Sequence, residues 1–353
     1  MEIKNIQTPA LIVDENVFLQ NSNNMLKILS GKTLKLRPHF KSHKCAEIAR
    51  FQVENGAIGL TCAKLGEAID LIDSGVEDIL IANQIVEKSK IATLAHLANC
   101  ANLTVCVDDI QNVKDLENAC ALMSSTLNVF IEYEIGMERC GVSSKEEVLS
   151  LANFINSCKH LKFKGIQAYA GHLSHEISGE DRLNETSKNT AKLKELISYL
   201  NENGINVETL SGGSTGTSII KAEQGLYTEL QAGSYLFMDA TYKDLNLPFK
   251  NSLFILATVV SVNEKITVVD AGVKSCGIDQ GMPLGVGFTY EKIVASEEHF
   301  QLHNPSKKFN VGDKVLLIPA HCCSTVNLYD KIYFVKDGKV TKRVQVSARG
   351  CSK

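Results

Sequence analysis

Eight short apolar segments, which alternate with stretches of helical periodicity, constrain this chain more than any other feature. The first is TLKLRPHF at Thr33 to Phe40, and the eighth, ELQAGSYLF, ends near Phe237. Eight strand and helix pairs within about 220 residues match the number and the size of a parallel (β/α)8 barrel. We therefore predict an α/β fold with a TIM-type barrel, and a doubly wound open sheet is the alternative.

The pattern changes after the segment LNLPF at Leu245 to Phe249, because strands then follow one another without long helices. Near the carboxyl end, Asp337-Gly338 stands between two predicted strands in KIYFVKDGKVTKRVQV and favours a tight hairpin turn. We predict a barrel domain over residues 8–245 and an antiparallel β domain over residues 250–353. The early strand TPALIVD, within residues 1–14, belongs either to the β domain or to a cap on the barrel.

The composition favours a globular protein that acts on small molecules. The chain has 353 residues, 44% of them hydrophobic, and a net charge of -3 with acids and bases interspersed, which gives no footprint for nucleic acid or an anionic membrane. No targeting segment and no apolar run of membrane-spanning length stands out. Eleven cysteines without the spacing of a disulfide framework favour a reducing compartment, so we expect a cytoplasmic location.

The first predicted strand ends in RPHFKSHK, and the working residues of a barrel lie where its strands end. Alternation along an extended strand puts Arg37, His39 and Lys41 on one face and apolar residues on the other. The apolar face packs on helices, so Lys41 points into the barrel, where its amine can form a Schiff base. A solvated strand edge is the ordinary alternative, and Lys44, at the start of the next helix, is the weaker candidate.

Small residues follow the seventh and eighth predicted strands. The seventh ends in SGGSTGT, residues 211–217, where backbone N–H groups and hydroxyls can approach an anion closely. Loops after strands seven and eight are the usual phosphate site of a TIM barrel, and a flexible loop is the alternative. The predicted phosphate contacts are Gly213, Ser214, Thr215, Gly216, Gly233 and Ser234.

The run His321-Cys322-Cys323 closes the apolar strand KVLLIPA. On an extended chain His321 and Cys323 share a face, so an imidazole and a thiolate could hold Zn2+ or another divalent cation. Two protein ligands leave coordination positions open, which is typical of a catalytic metal. A buried structural histidine and cysteine are the alternative.

Two further loops carry candidate residues. Arg139, in EIGMERCGV after the fifth strand, could contact an anion or a ring, or it could be a surface arginine. His172 and His175 follow the sixth strand, where they could shuttle protons or bond within their own loop.

Taken together, the motifs resemble the D-serine dehydratase and D-threonine aldolase family, whose members are fold-type III pyridoxal-phosphate enzymes related to alanine racemase. The motifs are TPALIVD, RPHFKSHK, GMERCGV, SGGSTGT, ELQAGSYLFMDATY and HCC, in this order. The resemblance implies that Lys41 carries the cofactor as a Schiff base and that the SGGSTGT and GSY segments hold its phosphate. It also implies that Tyr169 lies near the pyridine nitrogen and Arg139 close to the cofactor.

The same resemblance implies a homodimer with active sites between a barrel and a β domain, and a small D-amino acid as substrate. The resemblance also implies that the metal ligands follow the pattern His-x-Cys in the dehydratase branch and His-x-Asp in the aldolase branch. His321 and Cys323 therefore favour a lyase that converts D-serine to pyruvate and ammonia. The alternatives are D-threonine aldolase-type cleavage to glycine and an aldehyde, an amino-acid racemase, a non-catalytic carrier of pyridoxal phosphate, and a metal-free barrel enzyme acting on a phosphorylated sugar.

Overall fold

The structure is a computed structural model that describes residues 1–176 and 178–353. The chain divides into two compact units, which we call the barrel unit and the β unit. The barrel unit consists of Leu26–Lys41, Ile48–Gly233 and Cys351–Lys353, and the β unit consists of Met1–Met25, Ser42–Glu47 and Ser234–Gly350. No helix in the described ranges is long and apolar enough to cross a membrane.

The strands are β1 (Ala10–Asp14), β2 (Lys35–Leu36), β3 (Leu60–Cys62), β4 (Asp78–Ile81), β5 (Asn102–Val107), β6 (Leu127–Glu132), β7 (Leu161–Ala168), β8 (Thr209–Gly212), β9 (Glu229–Leu230), β10 (Leu253–Val262), β11 (Ile266–Val269), β12 (Leu284–Gly285), β13 (Lys292–Ala295), β14 (Phe300–His303), β15 (Lys314–Ile318), β16 (Lys331–Lys336) and β17 (Lys339–Gln345). The helices are α1 (Glu15–Leu29), α2 (Ala46–Glu54), α3 (Leu65–Asp73), α4 (Lys88–Leu97), α5 (Ile110–Met123), α6 (Lys145–Ser157), α7 (Gly179–Glu202), α8 (Ser218–Gln224) and α9 (Cys322–Val326).

The barrel unit contains eight parallel strands in the order β2-β9-β8-β7-β6-β5-β4-β3. Backbone hydrogen bonds join the two ends of this order, because Ile58 N donates to Leu36 O and Thr61 N donates to Pro38 O, each at 2.9 Å. The predicted barrel and all eight predicted strands are confirmed. Since the strands are parallel, their carboxyl ends and the loops that follow them meet at one mouth.

Local sequence explains these elements. Ile79, Leu80 and Ile81 of β4 are fully buried, as expected for a parallel strand that is covered on both faces. Helix α6 begins with a capping box. The side chain of Ser144 accepts a hydrogen bond from the backbone N–H of Glu147, and the side chain of Glu147 accepts one from the backbone N–H of Ser144. The capping box marks the residue at which α6 begins.

The β unit contains a nine-stranded sheet whose main order is β13-β14-β11-β10-β1-β16-β17, with β12 and β15 branching from it. Strand β1 pairs antiparallel with β10 and parallel with β16, so the early strand that the sequence left unassigned lies inside this sheet. Asp337 and Gly338 both have positive φ, at 51° and 74°, which is the conformation of the hairpin turn predicted between β16 and β17.

Candidate active site

A polar pocket of about 180 Å³ opens at the mouth of the barrel. Its lining comes from the carboxyl ends of several strands or the loops after them, which is where the active sites of such barrels lie. The lining residues are His39, Lys41, Ala63, Ala82, Asn83, Arg139, Cys140, Gln167, Tyr169 and Gln231. The pocket therefore brings together three residues that the sequence or the resemblance singled out: Lys41, Arg139 and Tyr169.

Lys41 lies in a short 3-10 helix, Phe40–Ser42, just beyond β2. Its Nζ atom is 5.9 Å from the centre of the Tyr169 ring, so the amine and the phenol face the same space. The backbone N–H of Lys41 points to Nδ1 of His39 at 3.4 Å. An amine with its head group in a pocket and its backbone fixed by a turn is suited to bond a carbonyl ligand.

The basic residues Arg37 and Lys44, which are near Lys41 in the sequence, bind partners outside the pocket. Arg37, which strand alternation placed with Lys41, is buried and forms ion pairs with Asp78 at 2.5 Å and Glu229 at 2.9 Å. Regular strand structure ends at Leu36, so alternation does not extend to Lys41. Lys44 has a positive φ of 48°, and within the β unit its Nζ donates to Oδ1 of Asn327 at 2.8 Å. Neither residue lines the pocket.

Arg139 stands over Tyr169, with its guanidinium carbon 5.7 Å from the ring centre. The loop that carries it is ordered by Glu134, whose Oε1 accepts from the backbone N–H groups of Gly136 at 2.6 Å and Glu138 at 2.9 Å. Burial would raise the pKa of Glu134, but these backbone hydrogen bonds and that of Met137 outweigh burial and lower the pKa. Glu134 therefore stays charged and holds the loop that positions Arg139.

A buried carboxylate that sequence reasoning missed lies beside Arg139. Glu132 ends β6, its side chain is 6% exposed, and its Oε1 is 3.9 Å from Nη2 of Arg139. Gln84 Nε2 donates to its Oε2 at 2.7 Å, and Gln167 also bonds it. Burial raises the pKa of Glu132, while both glutamines and the Arg139 charge act against that rise. Gln231 extends the network, since its Nε2 donates to Gln167 Oε1 at 3.0 Å.

The SGGSTGT segment begins with the last two residues of β8, the strand that lies between β7 and β9 in the barrel. Gly213 has a positive φ of 75°, and the N–H of Ser214 donates to Oγ1 of Thr217 at 3.1 Å, so the segment forms a compact turn. A Cβ added at Gly216 would lie 2.0 Å from the carbonyl oxygen of Ser174, which only glycine permits. The buried Thr215 Oγ1 has no hydrogen-bond partner among the described residues.

None of the six predicted phosphate contacts lies in the lining of this pocket. Residues 213–216 lie outside its lining, although the N–H of the lining residue Gln231 donates to Gly212 O at 2.9 Å. Gly233 is the last residue of this stretch of the barrel unit, and Ser234 is the first residue of a β-unit stretch that opens with the 3-10 helix Ser234–Leu236.

His321 and Cys323 of the β unit are hydrogen bonded to each other. His321 Nδ1 lies 2.7 Å from Asp279 Oδ2, and Ser324 Oγ donates to the other oxygen of Asp279 at 2.5 Å. Burial lowers the pKa of His321, but Cys323, Asp279 and the Asp239 charge outweigh burial and raise the pKa to about 9. This surplus of negative groups would favour a bound cation in place of the proton.

The chain at this point differs from the extended conformation that the sequence suggested. His321 is extended, but α9 begins at Cys322, whose N–H donates to Oδ2 of Asp239 at 2.8 Å. Cys322 is fully buried, whereas Cys323 is partly exposed. Among residues 1–176 and 178–353, no group of three or more histidine, cysteine or acidic side chains is arranged to hold a metal ion, so the role of His321 and Cys323 as ligands stays a prediction.

His172 and His175 belong to the 3-10 helix Gly171–His175 after β7. A Cβ added at Gly136 would lie 3.0 Å from Cε1 of His172, so this ring packs on the loop that carries Arg139. Neither histidine lines the pocket. A part in proton transfer stays a prediction for both.

Comparisons with known proteins agree with this arrangement. The family model described as alanine racemase, N-terminal domain, matches residues 13–241, and the putative serine dehydratase domain matches residues 252–335. The chain is 37% identical over 363 residues to the 3-hydroxy-D-aspartate aldolase of Paracoccus denitrificans (strain Pd 1222), covering 99% of this chain and 94% of that protein. It is 37% identical over 357 residues to the D-threonine aldolase of Arthrobacter sp., with the same coverage.

A solved structure of a relative has the same fold over the whole chain. The crystal structure of D-threonine aldolase from Filomicrobium marinum superposes with a TM-score of 0.96 at 35% identity, over 100% of this chain and 98% of that one. A more distant relative is the D-serine dehydratase of Dictyostelium discoideum, 25% identical over 95% of each chain.

Proposed function

Because this chain belongs to the alanine racemase-like family of pyridoxal-phosphate-dependent lyases, we propose that it acts, with a divalent metal, at the β-carbon of a small β-hydroxy D-amino acid. The observation that carries the proposal is the amine of Lys41 in the barrel-mouth pocket, 5.9 Å from the centre of the Tyr169 ring, with the guanidinium of Arg139 5.7 Å from the same centre. An amine, a stacking ring and a guanidinium in one pocket are suited to an aromatic aldehyde with anionic substituents.

The residues present fit pyridoxal phosphate. Lys41 would hold its aldehyde carbon, and Tyr169 would lie against its ring. Gly213, Ser214, Thr215 and Gly216, with Gly233 and Ser234, would hold its phosphate. The unpartnered, buried hydroxyl of Thr215 supports this assignment, since buried polar groups otherwise find partners. When bound, the cofactor supplies an electron sink for the carbon from which a bond is broken.

The chain's own residues would then divide the work. The free amine of Lys41 would serve as the base for the α-proton in the elimination reaction. Arg139, held by Glu132, would bind an anionic oxygen in the pocket, and the amides of Gln167 and Asn83 would orient polar groups there.

His321 and Cys323 fit Zn2+, because an imidazole and a thiolate are its preferred donors and carboxylates lie beside them. A cation held there would supply charge stabilisation for the β-oxygen of the substrate. A relative supports the metal: a cysteine-to-alanine variant of D-threo-3-hydroxyaspartate dehydratase from Delftia sp. HT23, a protein of the same fold, is described as metal-free. In a second variant of that enzyme, the replaced residue is a histidine two positions before this cysteine. The same spacing separates His321 from Cys323.

Two reactions fit these parts, and each has its own support. The His-x-Cys pair favours loss of the β-hydroxyl, as in the dehydratases. The identity of 37% to two aldolases favours cleavage of the Cα–Cβ bond. In the first, D-serine gives pyruvate and ammonia; in the second, D-threonine gives glycine and acetaldehyde.

The test is a product assay on the purified protein loaded with pyridoxal phosphate and Zn2+. Pyruvate from D-serine establishes elimination, and glycine from D-threonine establishes cleavage. L-serine and L-threonine are the matched controls, and we expect no turnover of either. Turnover of neither D-amino acid, or full activity after chelation of the metal, would refute the proposal.

The proposal includes the cytoplasmic location that the cysteine pattern predicts and the homodimer that the resemblance implies. Light scattering of the purified protein tests the second of these, because a dimer has twice the mass of the 38.6 kDa chain.

A further inference from the structure

A buried lysine lies behind the SGGSTGT segment and is not used by the chemistry described so far. Lys221 is on α8, the helix that follows this segment directly, and only 3% of its surface is exposed. Its Nζ is buried and has no hydrogen-bond partner in the part of the chain that the structure describes. A buried lysine without a carboxylate is rare, because burial makes its charged form costly.

The side chain runs back toward the start of the segment. A Cβ added at Gly213 would lie 3.5 Å from Cγ of Lys221, so the lysine stem packs under this glycine. Its Nζ is then 3.9 Å from the centre of the Tyr227 ring. The same ring lies 2.9 Å from a Cβ added at Gly212, and its hydroxyl donates to Ala168 O at 3.0 Å. The stem of Lys221 therefore packs against the segment, and its amine lies over the ring of Tyr227.

The surroundings of Lys221 contain no counter-charge. Burial is the only cause that lowers its pKa, to about 7, so no described carboxylate offsets the loss of water. The titratable group that faces it is Tyr227, and burial raises the pKa of this phenol, which stays neutral. The amine and the unpartnered hydroxyl of Thr215 are thus two unsatisfied polar groups around one glycine-rich turn.

We propose that Lys221 is a binding residue of this chain for a phosphate monoester, and that its ammonium supplies the counter-charge for a dianion held by residues 213–216. The inference rests on the proposed cofactor site, and it implies that binding of the ligand depends on pH. A dianion near the amine favours the protonated lysine, so the ligand and a proton bind together. Binding should then weaken by up to about tenfold for each pH unit above 7.

The experiment uses 4′-deoxypyridoxine 5′-phosphate, which has the ring and the phosphate of the cofactor but no aldehyde, so Lys41 forms no bond to it. Its affinity and its proton uptake are measured by calorimetry at pH 8 in buffers of different ionisation enthalpy. A phosphate monoester is already a dianion at this pH, because its second pKa is near 6. Unphosphorylated 4′-deoxypyridoxine is the ligand control.

The variants are Lys221→Met, which keeps the length of the stem, and Lys188→Met, which removes an exposed lysine of α7. We expect the unaltered protein and K188M to take up a fraction of a proton approaching one, and K221M to take up about one proton less. Between pH 7 and 9 the affinity of K221M should stay constant while that of the other two falls. Thermal melting checks that K221M is folded.

Equal proton uptake by K221M and the unaltered protein would overturn the role of Lys221 and leave the cofactor site standing. If none of the three proteins binds the phosphorylated probe, the proposed cofactor site is wrong, and the inference falls with it. Proton uptake that is the same for the unphosphorylated ligand would also contradict the inference, because the phosphate would not be its cause.

Discussion

Nη2 of Arg139 lies 3.9 Å from Oε1 of the buried Glu132, while the same guanidinium stands 5.7 Å from the centre of the Tyr169 ring. Arg139 thus has a carboxylate and an aromatic ring as neighbours, although 48% of its side chain is exposed. A guanidinium has several N–H donors, so donors remain for an anion. The pocket therefore has both the amine of Lys41 and a guanidinium among its lining residues.

Replacing Glu132 should release this contact. In Glu132→Gln the new amide can still bond the glutamines, but it carries no charge to hold Arg139, so we expect affinity for pyridoxal phosphate or substrate to fall by about fivefold to tenfold. Fluorescence titration and steady-state kinetics measure this change. The matched control is Glu138→Gln, which removes an exposed carboxylate from the same loop. Equal affinities in both variants would show that Glu132 does not position Arg139.

Replacing Cys323 should remove the metal. The thiolate is one of two ligands in the proposed site, so Cys323→Ala is expected to lower bound zinc from about one ion per chain to near zero, while pyridoxal phosphate stays bound. Metal analysis and the absorbance spectrum measure the two quantities. Cys100→Ala, which removes an exposed free cysteine, serves as the control. Zinc retained in the Cys323 variant would argue against this site.

Asp279 should matter to the metal through His321. The carboxylate fixes the imidazole by its contact with Nδ1 at 2.7 Å, which leaves Nε2 as the nitrogen able to face a cation. We expect Asp279→Asn to weaken zinc binding by about tenfold or more without abolishing it. Competition with a chromophoric chelator measures the affinity. An unchanged affinity would mean that the imidazole is held by other contacts.

Lys221 should make the ligand-free protein more stable as the pH rises above 7. Burial lowers the pKa of the folded protein's lysine to about 7 from 10.5, so the unfolded chain binds more protons between these values. The free energy of unfolding therefore rises with pH across this window, by up to about 1.4 kcal/mol per unit, and the full cost of charging Lys221 is present below pH 7. Lys221→Met should raise the melting temperature most at pH 7 and least near pH 10.5. A gain that is equal at both pH values would contradict this account.

The barrel could be predicted because its strands have a distinct composition. A run such as DILI, residues 78–81, is apolar on both faces, and the Asp337-Gly338 dipeptide specifies a turn by its backbone preference alone. The short strands β12, β13 and β14 were not predicted, since they contain two to four residues and most of these are only partly buried. Such strands form because of the strands they pair with, and their own sequences show little alternation of apolar and polar residues.

The candidate site was predictable only in part, for a similar reason. Lys41, Arg139 and Tyr169 follow predicted strands, and the sequence or the resemblance pointed to them. Glu132 was overlooked because Gln84, which bonds it, is 48 residues away in the chain. Lys221 was overlooked because a lysine on a short helix ordinarily faces water. A buried environment that forms only when distant elements pack together leaves no trace in local periodicity.

Reduction of the protein by borohydride after loading with pyridoxal phosphate, followed by peptide mapping, tests the central claim most directly. A lysine in Schiff-base linkage is fixed to the cofactor by this treatment, and we predict that the label is found on Lys41, with none on Lys44 or Lys221. Lys41→Ala should take up no label, whereas Lys44→Ala should take up as much as the unaltered protein. A label on any lysine other than Lys41 would contradict the assignment of this pocket.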